Sequence, residues 1–168
     1  MIGKKAIETL AIGLLAGAAG GLAEVAWVTL YAGVVGGDPA VLARGVTTAA
    51  GVSALVPASP VVVGVAVHMT LSFALGVGLA FGWRALCERR QAATNPFPLV
   101  VVILAGIWAA NFFVILPVVS PGFVHIVPYA VSLASKLLFA GAAGAVLARG
   151  AVAVLVSQTL ARQPAVRP

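Results

Sequence analysis

The sequence predicts an all-α integral membrane protein, a compact bundle of four transmembrane helices with both termini on the cytoplasmic side. Three observations carry that prediction. Only 8% of the 168 residues are charged and 62% are hydrophobic, whereas an average soluble domain is roughly 25% charged. The mean hydropathy is +1.14. Lys and Arg, which outnumber Asp and Glu by ten to four, fall almost entirely on one side of the apolar runs. This composition excludes an ordinary soluble enzyme, a disordered chain and a disulfide-built scaffold. The single cysteine, Cys87, precludes an internal disulfide.

Four runs reach the ~20 apolar residues needed to cross hydrocarbon. They are about 6–35, 61–81, 99–118 and 127–147. They are apolar on all sides, unlike the alternating ~10-residue strands of a membrane barrel. An isolated strand would leave its backbone unsatisfied in lipid, so the runs read as helices. The first exceeds a ~7–15-residue signal-peptide core and is read as a true span. Residues 1–150 form the transmembrane domain, and 151–168 form a short cytoplasmic segment that extends the last helix or lies on the surface. With the N-terminus inside, Lys4, Lys5, Arg84, Arg89, Arg90, Arg149, Arg162 and Arg167 are cytoplasmic and only Arg44 is outside, a strong positive-inside bias. The positive charge meets anionic lipid head groups and requires no nucleic acid. The localisation expected is a bacterial inner membrane.

The first outer loop, 36–60, contains Asp38-Pro39, a capping side chain followed by the residue best suited to open a helix. The segment 40–56 is read as an interfacial helix, with a dip into the membrane as the alternative. Arg84 and Glu88 are spaced i, i+4 in the cytoplasmic loop, where Asn95-Pro96 breaks the helix. The second outer loop, PVVSPGFVHIVP from Pro117 to Pro128, is too apolar to stand free in water. It lies on the membrane or packs against the first loop or a partner.

Small residues recur at helical spacing. Gly13, Gly17 and Gly21 form one stripe, Gly64, His68, Ser72 and Gly76 a second, and Ala140, Gly144 and Ala148 a third. Such stripes let helix backbones approach closely, which matters where lipid removes the hydrophobic drive for association.

Each span also contributes one strongly polar residue: Glu24, His68, Asn111 and Lys136. At ~1.5 Å of rise per residue they lie about 3–6 Å outward of their spans' midpoints. Glu24 points into the arc of Gly13, Gly17 and Gly21, and Lys136 shares a face with Tyr129 and Ser132. The face of Asn111 is less clear. Unpaired charges inside a membrane are costly, so a Glu24–Lys136 ion pair completed by His68 and Asn111 is expected. Its role is either to fix helix register or to serve a site.

Three functions are compatible. The first is a non-catalytic accessory or structural subunit of a larger membrane complex, respiratory or redox in kind, partnered by other membrane subunits or by copies of itself. The second is a small proton- or ion-coupled carrier acting as an oligomer, with Glu24 and His68 as its titrating groups. The third is a redox subunit holding haem b through His68 and His125, or a quinone against His68, Lys136, Ser132 and Tyr129 with Ser72 in support. No metal-ligand cluster, dinucleotide loop or catalytic motif is present in the sequence.

Overall fold

The computed structural model describes residues 2–54, 58–90 and 95–162, with side chains up to 150. Every regular element in them is helical: α1 (Ile2–Val34), α2 (Ala40–Ala49), α3 (Pro60–Arg90), α4 (Pro96–Ala110), a π-helical turn (Asn111–Ile115), α5 (Leu116–Val119), a 3-10 turn (Pro121–His125) and α6 (Tyr129–Arg162). Four stretches among the described residues are long and apolar enough to span a membrane: 3–34, 60–90, 96–119 and 129–150. α3 continues about two turns beyond the expected boundary. α6 takes up residues 151–162 as helix, and 163–168 lie outside the described residues.

α1 is the central helix and packs against both α3 and α6, α4 packs on α6, and α3 meets α4 only sparsely. Glycine makes the first seam. A Cβ on Gly13 would meet Val77 Cα at 2.6 Å, one on Gly17 would meet Phe73 Cα at 2.8 Å, and one on Gly21 would meet the Ser72 side chain at 2.8 Å. Gly76 lies against the backbone of Gly13 and Gly17 from the other side. At the far end of this seam Arg84 donates to Lys5 O at 2.7 Å and to Thr9 Oγ1 at 2.6 Å, besides its i, i+4 bond to Glu88. The start of α1 and the end of α3 therefore share one end of the bundle.

The other glycines serve different neighbours. Gly20 receives the Phe139 ring of α6, and Gly144 of α6 receives the Phe97 ring of α4. Gly64 faces Ala43 and Thr47 of α2 rather than α1. Phe139, Leu104, Leu147 and Val100 are fully buried in a core completed by Ala16, Leu79, Ala80 and Trp83. These residues place the tightly packed half beside the Arg84 end.

α1 stops in a Schellman turn, with Gly36 at φ 71° and the Gly37 N–H on Ala32 O at 2.8 Å. Asp38 then opens α2. Its Oδ1 accepts from Ala40 N at 2.8 Å and its Oδ2 from Arg44 at 2.5 Å. α2 is anchored to the bundle: Thr47 is buried and donates to Pro60 O, and Gly45 packs against Phe123 and Ile126 of the second outer loop. α2 and the 117–128 loop thus cover each other. The sequence predicts helix throughout 40–56, but α2 ends at Ala49, where Gly51 turns the chain at φ 71°; residues 55–57 lie outside the described residues. Asn95 caps α4 by accepting from Phe97 N at 3.0 Å.

The π-helical turn has a local cause. Pro117 has no N–H to give to residue 113, and its ring would crowd that carbonyl in a regular helix. The chain widens instead, and Leu116 N bonds to Asn111 O, five residues back.

Two outcomes follow. Gly76→Val forces a side chain onto backbone that cannot yield and lowers stability by about 1–3 kcal/mol, read as a lower unfolding midpoint in mild detergent. Gly106→Ala, with nothing within 4 Å of the new atom, leaves that midpoint unchanged or raises it. Separately, the Arg44 guanidinium and then the Ala40 N–H hold the Asp38 carboxyl below its usual 3.8. A depressed carboxylate contributes fully above its unfolded value and loses that contribution as pH falls through the folded one. Protection of the amides at the start of α2, corrected for the intrinsic pH dependence of exchange, should therefore fall below pH 3.8, and Asp38→Asn should abolish this acid sensitivity.

Candidate functional site

Above the apolar core, the antiparallel register of α1 with its two neighbours brings charged groups together. Along the α1–α6 seam Gly20 meets Phe139, and Trp27 Nε1 donates to Val131 O at 3.0 Å. Glu24 lies between these two contacts, opposite Ser135 and Lys136. Lys136 Nζ is 2.6 Å from Glu24 Oε1. Ser135 Oγ is 3.2 Å from the same oxygen and 2.8 Å from Ser132 O. A hydroxyl has one hydrogen, so Ser135 donates to one of these at a time.

Along the α1–α3 seam the next step after Gly21–Ser72 sets His68 beside Glu24. Its Nε2 is 3.3 Å from Gly21 O and 3.8 Å from Glu24 Oε2. A carbonyl oxygen only accepts, so Nε2 carries a proton and donates to Gly21 O. The longer distance is beyond hydrogen-bond reach. The Glu24 side chain is 5% exposed, against 23% for Lys136 and 24% for His68. The carboxylate is thus the buried member, and the two nitrogen groups are nearer the surface.

These groups line one end of a cavity of about 380 Å³. Val25 and Val28 of α1, Leu42 and Val46 of α2, Val61 and Val65 of α3, and Phe112, Phe123 and Val127 form its apolar walls. α2 and the second outer loop close its other end.

Of the four residues expected in one polar layer, Glu24, His68 and Lys136 come together. Asn111 does not join them. It opens the π-helical turn, and the cavity is lined instead by its neighbour Phe112. Because Asn111 opens the turn, the extra backbone re-aims the residues that follow it, Phe112 among them, and leaves Asn111 on the face that α4 gives it. Tyr129 also leaves the polar group. Its ring packs with Trp108, Phe112 and Phe113 at centroid distances of 5.6–6.4 Å, while its carbonyl accepts from Ser132 at 2.9 Å. Ser72 belongs to the glycine seam and does not line the cavity. His125 is exposed on the 3-10 turn and does not share the cavity with His68, so no facing histidine pair for haem is assembled.

The structure adds three contributors. Ser135 was signalled only by its i, i+3 spacing from Ser132. Trp108 Nε1 donates to Ser132 Oγ at 3.0 Å, and Trp27 ties α1 to α6. Neither tryptophan's bond can be read from the sequence, because a partner carbonyl or hydroxyl on another helix leaves no mark there.

The ion pair dictates a clear thermodynamic pattern. Lys136→Met strands a buried carboxylate and destabilises by about 3–5 kcal/mol. Glu24→Leu with Lys136→Met recovers much of that loss, because no charge remains to be desolvated. Glu24→Gln, which still accepts from Lys136 and Ser135, costs less than Lys136→Met. Unfolding titrations of the four proteins in detergent check this order; a double variant less stable than either single one contradicts it.

Comparison with protein-family models, with curated proteins and with solved structures finds no match for this chain.

Proposed function

We propose that this chain is a small, non-catalytic subunit of a larger membrane assembly, held in the inner membrane by four spans with both termini on the cytoplasmic side. One observation carries the reading. α3 has a second stripe of small residues, Thr70, Ala74, Gly78 and Gly82, and all four are exposed. A Cβ built on Gly78 or Gly82 meets nothing within 4 Å. The Thr70 hydroxyl is turned onto Ala66 O at 2.8 Å, so it adds no unsatisfied polar group to this face.

The inward stripe of the same helix, Ser72, Gly76 and Ala80, is the one spent on α1. A helix facing lipid alone has no need of the second. Small residues at this spacing let another helix come to backbone distance, and van der Waals contact then drives association in lipid. The partner this face suits is a transmembrane helix of another subunit with small or smooth aliphatic side chains.

The orientation rests on charge. Lys4, Lys5, Arg84, Arg89 and Arg90 gather at the end where α1 starts and α3 finishes, and Arg44 lies toward the other end. Basic residues stay on the cytoplasmic side.

Purification from native membranes in mild detergent, followed by mass spectrometry, should recover this chain with other membrane subunits. Gly78→Leu with Gly82→Leu should cut that recovery roughly tenfold, equivalent to about 1.4 kcal/mol of association, with the fold intact. A monodisperse monomer that gains no partner overturns the reading, and a homo-oligomer replaces the foreign subunit with a second copy. In a Cys87→Ser background, an impermeant maleimide applied from outside should label cysteine at Val118 and spare cysteine at Arg89.

A further inference from the structure

We propose that the cavity between α1, α2, α3 and α6 binds an uncharged, lipid-soluble molecule, its oxygen-bearing head set between Lys136 and Glu24 and its hydrocarbon body along the valine and phenylalanine walls. The head is a quinone carbonyl or a hydroxyl, two sources of one hydrogen-bonding chemistry.

The volume comes first. About 380 Å³ falls within the range of small-molecule sites, which are mostly apolar with a few convergent polar groups. A cavity of that size in a bundle of close helix contacts is a feature of the fold, because the same helices pack with fully buried side chains at their other end.

Hydrogen-bonding capacity comes second. Glu24 Oε1 is occupied by Lys136 and approached by Ser135, while Oε2 has only His68, at 3.8 Å. That oxygen has acceptor capacity for a further donor from the cavity. Lys136 spends one of its three N–H groups on Glu24 and is 23% exposed, so its ammonium offers donors to the cavity. A hydroxyl head accepts from Lys136 and donates to Oε2, and a carbonyl head accepts from Lys136.

Charge comes third. The carboxylate and the ammonium already neutralise each other at 2.6 Å. An anionic head would compete with Glu24 for Lys136 and leave a buried charge without compensation, a heavy cost in a low-dielectric site. Neutral heads suffer no such cost.

Access comes fourth. Val65 of α3, on the cavity wall, is 38% exposed. A hydrocarbon body can therefore reach the cavity sideways from the acyl chains. The π-helical turn contributes Phe112 to the wall where Asn111 would add a polar group needing its own partner.

The test uses the purified full-length chain in detergent micelles, titrated with decylubiquinone, 1-dodecanol and dodecanoate and followed by native mass spectrometry. At least one neutral probe is expected to saturate at one equivalent, with dodecanoate weaker by about tenfold or more. Tighter binding of decylubiquinone identifies the ring-borne carbonyl as the favoured head, and tighter binding of dodecanol identifies a lipid alcohol. Val65→Phe fills the cavity without touching the ion pair and should weaken the neutral probe about tenfold, the unfolding midpoint holding. Lys136→Met should weaken it by a similar factor, through loss of a charged donor. If that variant fails to fold, Val65→Phe decides. Failure of both neutral probes to saturate overturns the proposal, as does dodecanoate binding as tightly as they do, or unchanged binding to Val65→Phe. No partner subunit is needed, so the outcome is independent of the assembly proposed above.

Discussion

Glu24 is a carboxylate in a bundle whose surroundings are otherwise almost wholly apolar, and the rest of its half of the bundle is arranged around its need for partners. An ammonium at 2.6 Å satisfies it only if α1 and α6 lie close enough for Lys136 to reach it. Gly20, one turn earlier, lets the Phe139 ring sit against the α1 backbone, and Gly21 does the same for Ser72 on the other side. The glycines and the ion pair are thus a single device. Close backbone approach brings the charges within bonding distance, and the charges fix the register in which the glycines meet their neighbours. Lipid supplies no hydrophobic drive between helices, so such specific contacts decide which faces meet.

The two halves of the bundle solve different problems. The half containing Val100, Leu104, Phe139 and Leu147 is filled with side chains and, among the described residues, buries no charged one. The half containing Glu24, His68 and Lys136 is propped open, with α2 and the second outer loop covering its end. α2 owes its position to a short run of local chemistry: the glycine turn after α1, the Asp38 carboxylate on the helix start, and Thr47 reaching Pro60. Pro117 does comparable work on α4. Its missing N–H widens one turn and changes which residues of that helix reach the interior.

Much of this could be read from the residues because it depends on local spacing. Four apolar runs of membrane-crossing length follow from composition and length. The meeting of Glu24 and Lys136 follows from the cost of a lone charge, together with similar depth and a shared small-residue face. The glycine stripe of α1 follows from the four-residue spacing. Asn111 is equally polar and at a similar expected depth, yet its place depends on which face of its helix meets the bundle, and its spacing from Trp108 leaves that face open.

The sequence alone determined that the chain is a bundle of apolar helices, where each one begins, and that two opposite charges must find each other, since these are consequences of transfer free energy, capping chemistry and helical period. Only the tertiary structure decided that Gly64 serves α2 rather than α1, that Trp108 and Trp27 reach α6, and that Phe112 rather than Asn111 lines the cavity. The reason is physical. Local spacing fixes which residues share a face, but which neighbour covers that face, and whether a void is left beside it, depends on the joint packing of helices far apart in the chain.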